Sequence, residues 1–326
     1  MRTVSERDLG LRLPQERDIM IMAHENPDGD AVGCVVALML MARQLGLSHR
    51  AYLPGDTPLP AEYSFLPDLQ DIMRGGFPEV HSATSLYIMD SAAASRLDVH
   101  RLQCAGDCIN IDHHQDNEGY GTLNLLDPTA ASTTQILFNI FRAGDLPIDK
   151  AIGTALYIGL VTDTGRFQYS NTTPEAHRMA ASLQELGVDV NGVYSQLYER
   201  TPLPKTRLLA VALERLSLRL GGALAVSSLT AAHFTAAGAD ERHTEGIIDQ
   251  LRRIEGVRVA AFVRERVSDD GAQQKVSLRS TDGSVDVASI AHLEGGGGHV
   301  RAAGFSADGD VESVIAWIER EVKARL

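Results

Sequence analysis

The stretch from Ile19 to Leu45 constrains the fold of this chain more than any other part of the sequence. It reads as a short apolar strand, a turn, and a helix that is apolar on every side and is therefore expected to be buried. The turn carries three potential metal ligands, His24, Asp28 and Asp30. Asp30 is also predicted as the N-cap of the helix, which is expected to begin near Ala31. Ligands held between a buried strand and a buried helix predict a rigid metal site.

The same pattern, in which an apolar element ends on an acid or an imidazole, recurs along the chain. The apolar strands Ser85–Met89 and CINI, and a predicted helix from about Asp149 to Thr162, are each followed by such side chains. The residues delivered in this way are Asp90, Asp112, His113, His114 and Asp163. Parallel strands present their carboxyl ends at one edge of a sheet, so we expect all of these side chains to converge there.

The order of the predicted elements gives an α/β fold in three parts. Residues 1–188 are predicted as a mostly parallel-sheet domain with helices on both faces, and residues 189–215 as a helical linker that is broken once at its prolines. Residues 216–326 are predicted as a smaller mixed α/β domain that opens with a hairpin at Gly221-Gly222. A cleft is expected between the two domains.

Charge and composition exclude several classes of function. The net charge of −13 argues against a long duplex nucleic acid as partner, because such binding depends on Lys and Arg that neutralise phosphates. No apolar run reaches the ~20 residues of a membrane span, and the charged N-terminus does not read as a signal peptide. The three cysteines are expected to be reduced, and the Cys104/Cys108 pair lacks the partners of a zinc site. We therefore expect a cytoplasmic protein without a membrane partner.

The predicted ligand set mixes carboxylates with imidazoles and contains no thiolate. This combination favours Mn²⁺, Mg²⁺, Co²⁺ or Fe²⁺ over structural zinc, and the imidazoles favour Mn²⁺ over Mg²⁺. The set is too large for one ion. Two ions about 3.5 to 4 Å apart form the arrangement that clamps the attacking and leaving oxygens in phosphate hydrolysis.

A second cluster lies near the C-terminus, where the sequence GGGGHVRAAG covers residues 295–304. Glycines allow a close approach of the backbone to a ligand and can present N–H groups to phosphate, while His299 and Arg301 add donors and charge. Arg279 lies on the preceding predicted strand. The alternative interpretation is a flexible loop.

These motifs resemble those of the DHH phosphoesterase superfamily. The segments HENPDGDAVG, MDS, IDHH and VTDTGRFQYSNTT are similar to its four successive motifs, and VSLRS with GGGGHVRAAG is similar to the DHH-associated C-terminal domain. Within the superfamily, the chain is most similar to the branch of nanoRNases and 3′-phosphoadenosine 5′-phosphate (pAp) phosphatases. The resemblance implies hydrolysis of short oligoribonucleotides to mononucleotides, dephosphorylation of pAp, or both.

The resemblance also implies a role for each matching residue. One Mn²⁺ would be held by His24, Asp28 and Asp90, and a second by Asp30, Asp90, His113 and Asp163, with Mg²⁺ or Co²⁺ as alternative metals. Asp112 would orient its neighbours, and His114 would face the scissile phosphate. The substrate would be bound by Arg279, His299 and the backbone of Gly296, Gly297 and Gly298.

Other functions remain open at this stage. They are a phosphodiesterase acting on cyclic di-AMP or its linear product, a RecJ-like single-strand exonuclease, a family II inorganic pyrophosphatase, and a non-catalytic nucleotide-binding regulator. The expected partners are short RNA or pAp as substrate. A homodimer is one assembly compatible with the sequence, which leaves the oligomeric state open.

Overall fold

In the computed structural model, which describes residues 2–56, 58–81, 83–97, 106–265 and 273–326, the chain divides into the units Met1–Arg200 and Thr201–Leu326. The division falls within the segment 189–215 that was predicted as a linker. This segment is helical on both sides of a break near Pro202. Cys104 of the cysteine pair lies outside the described residues, whereas Cys34 and Cys108 are buried free thiols.

A parallel sheet of seven strands organises the first unit, as predicted. The strands are β1 (Arg2–Thr3), β2 (Asp18–Met22), β3 (Ser48–Tyr52), β4 (Ile72–Met73), β5 (Ser85–Met89), β6 (Cys108–Asp112) and β7 (Leu123–Leu126). They lie in the order β1-β7-β6-β5-β2-β3-β4, and every pair of neighbours is parallel. The chain therefore adds strands to one side of β2 and then returns to its other side at β5.

Alternating side chains of the central strands enter two apolar clusters on opposite faces of the sheet. In β2, Ile19 and Ile21 belong to the larger cluster, whereas Met20 and Met22 belong to the smaller one. The smaller cluster also contains Phe77 and further side chains from the strands. Burial on both faces explains why these strands are almost continuously apolar.

The helices of the first unit contribute most of the larger cluster. They are α1 (Glu6–Arg12), α2 (Gly29–Gln44), α3 (Thr133–Ala143), α4 (Lys150–Asp163), α5 (Pro174–Glu185) and α6 (Val190–Tyr194), which continues into a π-helix over Ser195–Glu199. The buried character predicted for the helix after His24 is confirmed, since α2 exposes little of its length. No helix in the described ranges has both the length and the apolar character needed to cross a bilayer.

The second unit is a mixed α/β structure, as predicted. Its strands are β8 (Ser217–Arg219), β9 (Leu224–Leu229), β10 (Val259–Glu265), β11 (Gln273–Ser280), β12 (Gly297–His299) and β13 (Ala302–Asp308). They form a sheet in the order β12-β13-β11-β10-β9-β8, in which only β9 and β10 are parallel. Its helices are α7 (Leu203–Glu214), α8 (Ala231–Ala237), α9 (Ile247–Arg252), α10 (Val287–His292) and α11 (Val311–Lys323).

Candidate metal centre

The carboxyl edge of the parallel sheet carries the side chains that were predicted as metal ligands. His24 lies two residues beyond β2, Asp90 directly follows β5, and His113 directly follows β6. These three strands are adjacent, and the direction of strand addition reverses between β2 and β5. A reversal of this kind leaves a crevice at the strand ends. Asp90 adopts a left-handed backbone with φ of 55°, a strained conformation for a residue other than glycine.

Three overlapping groups of potential ligand atoms form in this crevice, and within each group the atoms lie within 4.8 Å of one another. The groups are His24/Asp28/Asp90, Asp30/His113/Asp163 and Asp90/His113/His114. Asp90 and His113 each belong to two groups, so the three groups form one continuous cluster. The structure thus brings the six predicted ligands together.

His24 and His113 are oriented so that the unprotonated ring nitrogen of each faces the carboxylates. The Nδ1–H of His24 donates to the carbonyl of Glu25 at 2.7 Å, and that of His113 lies 3.4 Å from the carbonyl of Ala130. Each ring therefore directs its Nε2 toward the carboxylates. The Nε2 of His24 lies 3.6 Å from Asp90 Oδ2. Two atoms that ligate one divalent cation lie about 3 to 4 Å apart, so the donor set fits such an ion.

The start of α2 differs from the prediction. Asp28 is the N-cap, because its Oδ1 accepts hydrogen bonds from the backbone N–H groups of Asp30 at 3.0 Å and Ala31 at 3.1 Å. The prediction that Asp30 caps the helix was wrong. The helix begins at Gly29, which places Asp30 inside its first turn and turns this side chain toward the interior.

Asp30 is buried against the N-terminus of α3. Its Oδ2 accepts a hydrogen bond from the N–H of Thr133 at 2.6 Å, and its Oδ1 accepts from the N–H of Thr134 at 3.0 Å and the hydroxyl of Thr134 at 2.7 Å. The hydroxyl of Thr133 also donates to Asp90 at 3.1 Å. A Cβ on Gly159 would lie 2.5 Å from Asp30 Oδ1, so this glycine allows α4 to approach. The position of both threonines after β7 places them at the same sheet edge.

Crowding of the carboxyl groups raises the proton affinity of Asp30 and Asp163. Burial, together with the charges of Asp90 and Asp28, raises the pKa of Asp30 well above its usual range. Burial and the charge of Asp30 raise the pKa of Asp163 to about 8, although His113 acts in the opposite direction. A divalent cation would neutralise this repulsion, which is a second reason why these residues fit a metal.

Asp112 and His114 form a hydrogen-bonded pair beside the cluster. The Nδ1–H of His114 donates to Asp112 Oδ1 at 2.7 Å, and this bond raises the pKa of His114 to about 9. Burial acts to raise the pKa of Asp112, but hydrogen bonds from His114 and Asn117 outweigh it and the pKa is lowered. Asn117, which the sequence did not reveal, donates to Asp112 Oδ2 at 2.6 Å and to the carbonyl of Ser91 at 3.1 Å.

The predicted substrate-binding residues of the second unit lie on the two strands that flank β13 and in the glycine run before the second of them. Arg279 on β11 pairs with Ala302 on β13, and His299 on β12 pairs with the same residue. The glycine run is not a flexible loop, since Gly297 and Gly298 form part of edge strand β12. Gly298 has a φ of 142°, and a Cβ there would lie 2.6 Å from the Cα of Ala303. Close strand packing therefore requires this glycine independently of any ligand.

Two family profiles match the chain. The profile of the DHH family N-terminal domain matches residues 18–160, and that of the DHHA1 domain matches residues 221–324. A curated relative from Thermus thermophilus, named bifunctional oligoribonuclease and PAP phosphatase NrnA, is 34% identical over 317 residues, which cover 95% of this chain and 91% of the relative. The protein of the same name from Bacillus subtilis is 28% identical over 295 residues, 88% of each chain.

Solved structures show the same fold. An exopolyphosphatase-related protein from Bacteroides fragilis aligns with a TM-score of 0.83 at 23% identity, and the alignment covers 98% of this chain and 96% of that one. The exonuclease RecJ bound to manganese aligns with a TM-score of 0.51 at 14% identity over 99% and 94% of the two chains. At these identities the similarity is one of fold.

Proposed function

Because this chain belongs to the DHH family, we propose that it is a metal-dependent phosphoesterase that hydrolyses short oligoribonucleotides to mononucleotides and dephosphorylates pAp. The convergence of carboxylates and bare imidazole nitrogens around Asp90 carries this proposal. The names of the T. thermophilus and B. subtilis relatives supply the two substrate classes.

Two divalent cations, Mn²⁺ or alternatively Mg²⁺ or Co²⁺, fit the cluster. His24, Asp28 and Asp90 would hold one, and Asp30, Asp90, His113 and Asp163 would hold the other. Asp30 would ligate through Oδ2, because Oδ1 already accepts two hydrogen bonds and Oδ2 only one. Such ions lower the pKa of bound water and balance the charge on the phosphoryl oxygens.

The residues of the chain would then bind and orient the reacting phosphate. His114, held at Nδ1 by Asp112, presents its Nε2–H as a donor to a phosphoryl oxygen. Asn117 keeps Asp112 in place through its hydrogen bond to Oδ2. Because Asp112 is buried and has no exposed surface, its role is to position His114.

The second unit carries the residues that we propose for substrate binding. Arg279 and His299 supply charge and hydrogen-bond donors, and Gly296, Gly297 and Gly298 supply backbone at the edge of the sheet. The acidic net charge of −13 favours a short substrate over a long duplex.

A parallel assay tests the proposal. Purified protein with Mn²⁺ is offered pAp, 5′-phosphorylated diadenylate, a five-residue RNA, cyclic di-AMP and a long 5′-phosphorylated strand, with chelator controls. We expect turnover of the diadenylate, the short RNA and pAp, and loss of turnover with chelator. Preference for the long strand would instead support a RecJ-like exonuclease, and tight pAp binding without any product would support a regulator.

Asp90→Ala tests the shared ligand. We expect this variant to lose all measurable turnover, because Asp90 belongs to two of the three ligand groups. Asp116→Ala, an exposed acid two residues beyond His114, is the matched control and should retain full activity. Near-normal turnover by Asp90→Ala would contradict the assignment of Asp90 to both ions.

A further inference from the structure

The segment that follows Asp163 has an unusual backbone. Gly165, Arg166 and Phe167 have φ values of 54°, 64° and 62°, so three successive residues adopt the left-handed conformation. Two of the three are not glycine, and each such residue costs about 1 kcal/mol or more unless its surroundings impose the conformation. The sequence around this segment therefore has to hold it in place.

Side chains of the segment anchor it to neighbouring helices. Phe167 lies between Tyr157 and His177, with ring centroids 6.4 Å from the first and 5.1 Å from the second. The guanidinium of Arg166 lies 5.1 Å from the centroid of the Tyr198 ring, a cation–π contact. This contact anchors Arg166 to the π-helix that carries Tyr198.

Hydrogen bonds fix the same segment to the metal centre. The side-chain amide of Asn171 donates to the carbonyl of Asp163 at 3.1 Å and to that of Ala131 at 2.9 Å. The backbone N–H of Tyr169 donates to the carbonyl of Thr164 at 3.0 Å. The hydrogen bond from Asn171 to Asp163 thus joins the two ends of this loop, and one of these ends is a candidate metal ligand. The loop therefore has little freedom to move relative to the candidate metal centre.

This rigid loop presents the ring of Tyr169. A Cβ built on Gly165 would lie 2.5 Å from both Cε1 and Cε2 of that ring, so the ring lies face-on over the glycine. The residue Tyr169 is nevertheless 61% exposed, and it is the one aromatic residue among the exposed large hydrophobic residues of the described ranges. One face of the ring rests on the backbone and the rest is open to solvent.

We propose that the ring of Tyr169 is a stacking platform for a nucleobase of the substrate whose phosphate lies in the metal centre. Gly165 is two residues from Asp163, a separation of at most about 7 Å along the chain, which is the scale of one nucleotide. Aromatic rings bind bases by stacking with little preference for the base, and a ring that is already fixed loses little conformational entropy on binding. This proposal rests on the proposed function and assigns a base-binding residue to the first unit.

Steady-state kinetics with a matched pair of variants tests the platform. Tyr169→Leu removes the ring and keeps an apolar side chain, whereas Tyr169→Phe keeps the ring. We expect Tyr169→Leu to raise KM for diadenylate about tenfold or more with kcat within about twofold, as loss of one base stack predicts. Tyr169→Phe should restore a KM close to that of the wild type. Leu11→Ala, which truncates another exposed apolar side chain of the first unit, controls for nonspecific effects.

Substrates that lack one base make it possible to refute the stacking platform without refuting the proposed function. Diadenylates with an abasic 5′ or 3′ residue are compared with the intact substrate in wild type and Tyr169→Leu. The KM difference between the two proteins should vanish for the analogue that lacks the stacked base. If wild type hydrolyses diadenylate and Tyr169→Leu keeps the same KM, or if the difference persists with both analogues, the platform is refuted while the proposed function stands. If wild type hydrolyses no nucleotide substrate, the proposed function itself fails.

Discussion

After metal has been removed, the free energy of unfolding of the protein should decrease as the pH rises from 5 to 6.5. When no cation is bound, burial and the charge of Asp30 raise the pKa of Asp163 to about 8, whereas an unfolded aspartate has its ordinary pKa near 3.8. Between these two values the folded state binds the proton more tightly than the unfolded state does. Stability from this group is therefore greatest at low pH and is lost progressively as the pH rises toward 8.

The expected loss follows from the linkage relation. One proton corresponds to about 1.36 kcal/mol per pH unit, so 1.5 units between pH 5 and 6.5 correspond to about 2 kcal/mol. For a cooperative unit of about 200 residues this is a fall in Tm of about 4 to 8 °C. The pKa of His114 is raised to about 9, so its contribution is lost only above the unfolded value of 6.5. The chosen interval therefore reports on the carboxyl groups.

Differential scanning calorimetry in chelator at the two pH values measures this loss. Asp163→Asn should reduce the pH dependence, because the amide does not titrate and only the raised pKa of Asp30 remains, and Asp116→Asn should leave the pH dependence as in wild type. Saturating Mn²⁺ should stabilise the wild type more at pH 6.5 than at pH 5, since the ion replaces the proton. A metal-free protein that is equally stable or more stable at pH 6.5, or an unchanged slope in Asp163→Asn, would refute the reasoning.

Three further predictions follow from single contacts. Asn117→Ala should lower kcat about tenfold or more with little change in KM, because its hydrogen bond of 2.6 Å holds Asp112, and Asp112 holds the imidazole of His114 that we propose binds the reacting phosphate. Unchanged kcat would contradict that role. Gly298→Ala should lower the free energy of unfolding by about 2 kcal/mol or more, because the new Cβ meets the backbone of β13 and φ is 142°. Gly297→Ala, whose Cβ would meet no atom closer than 3.8 Å, is the matched control in the same denaturant titration. Arg279→Ala should raise KM for diadenylate about tenfold with kcat nearly unchanged, and a fall in kcat alone would argue against substrate binding there.

The cluster of candidate ligands could be predicted because it depends only on which residues follow the strands and on the order of those strands in the sheet. Asp90 and His113 directly follow adjacent parallel strands, so any parallel sheet with this strand order brings them together. The apolar strands and the buried helix α2 are equally evident from the sequence, since burial on both faces leaves a nearly continuous apolar pattern. Local sequence therefore contained the fold class and the positions of the candidate ligands.

Features that depend on contacts distant in sequence could not be predicted in the same way. Asp28 and Asp30 are both suitable caps, and only the buried N-terminus of α3, about 100 residues away, selects Asp30 as the inward-facing acid. The strand conformation of Gly297 and Gly298 depends on pairing with β13. Asn117 also appears in the sequence as an ordinary loop residue, and only the fold places it against Asp112.

The hydrogen bonds to Asp30 show how the fold tolerates a site that is unfavourable without metal. Several carboxylates converge at the sheet edge, and burial makes their mutual repulsion costly. The N-terminus of α3 offsets part of this cost, because its N–H groups and the hydroxyl of Thr134 donate to Asp30 and the helix dipole favours negative charge there. Asp163 lies at the last residue of α4, where the helix dipole disfavours a carboxylate, and no helix N-terminus offsets its charge in the described structure. Asp30 and Asp163 both have raised pKa values, so a cation that binds either acid has to displace a proton. Metal affinity should therefore fall with decreasing pH through each of them. The two substitutions Asp163→Asn and Asp30→Asn distinguish these contributions when Mn²⁺ affinity is titrated calorimetrically across pH 5 to 8.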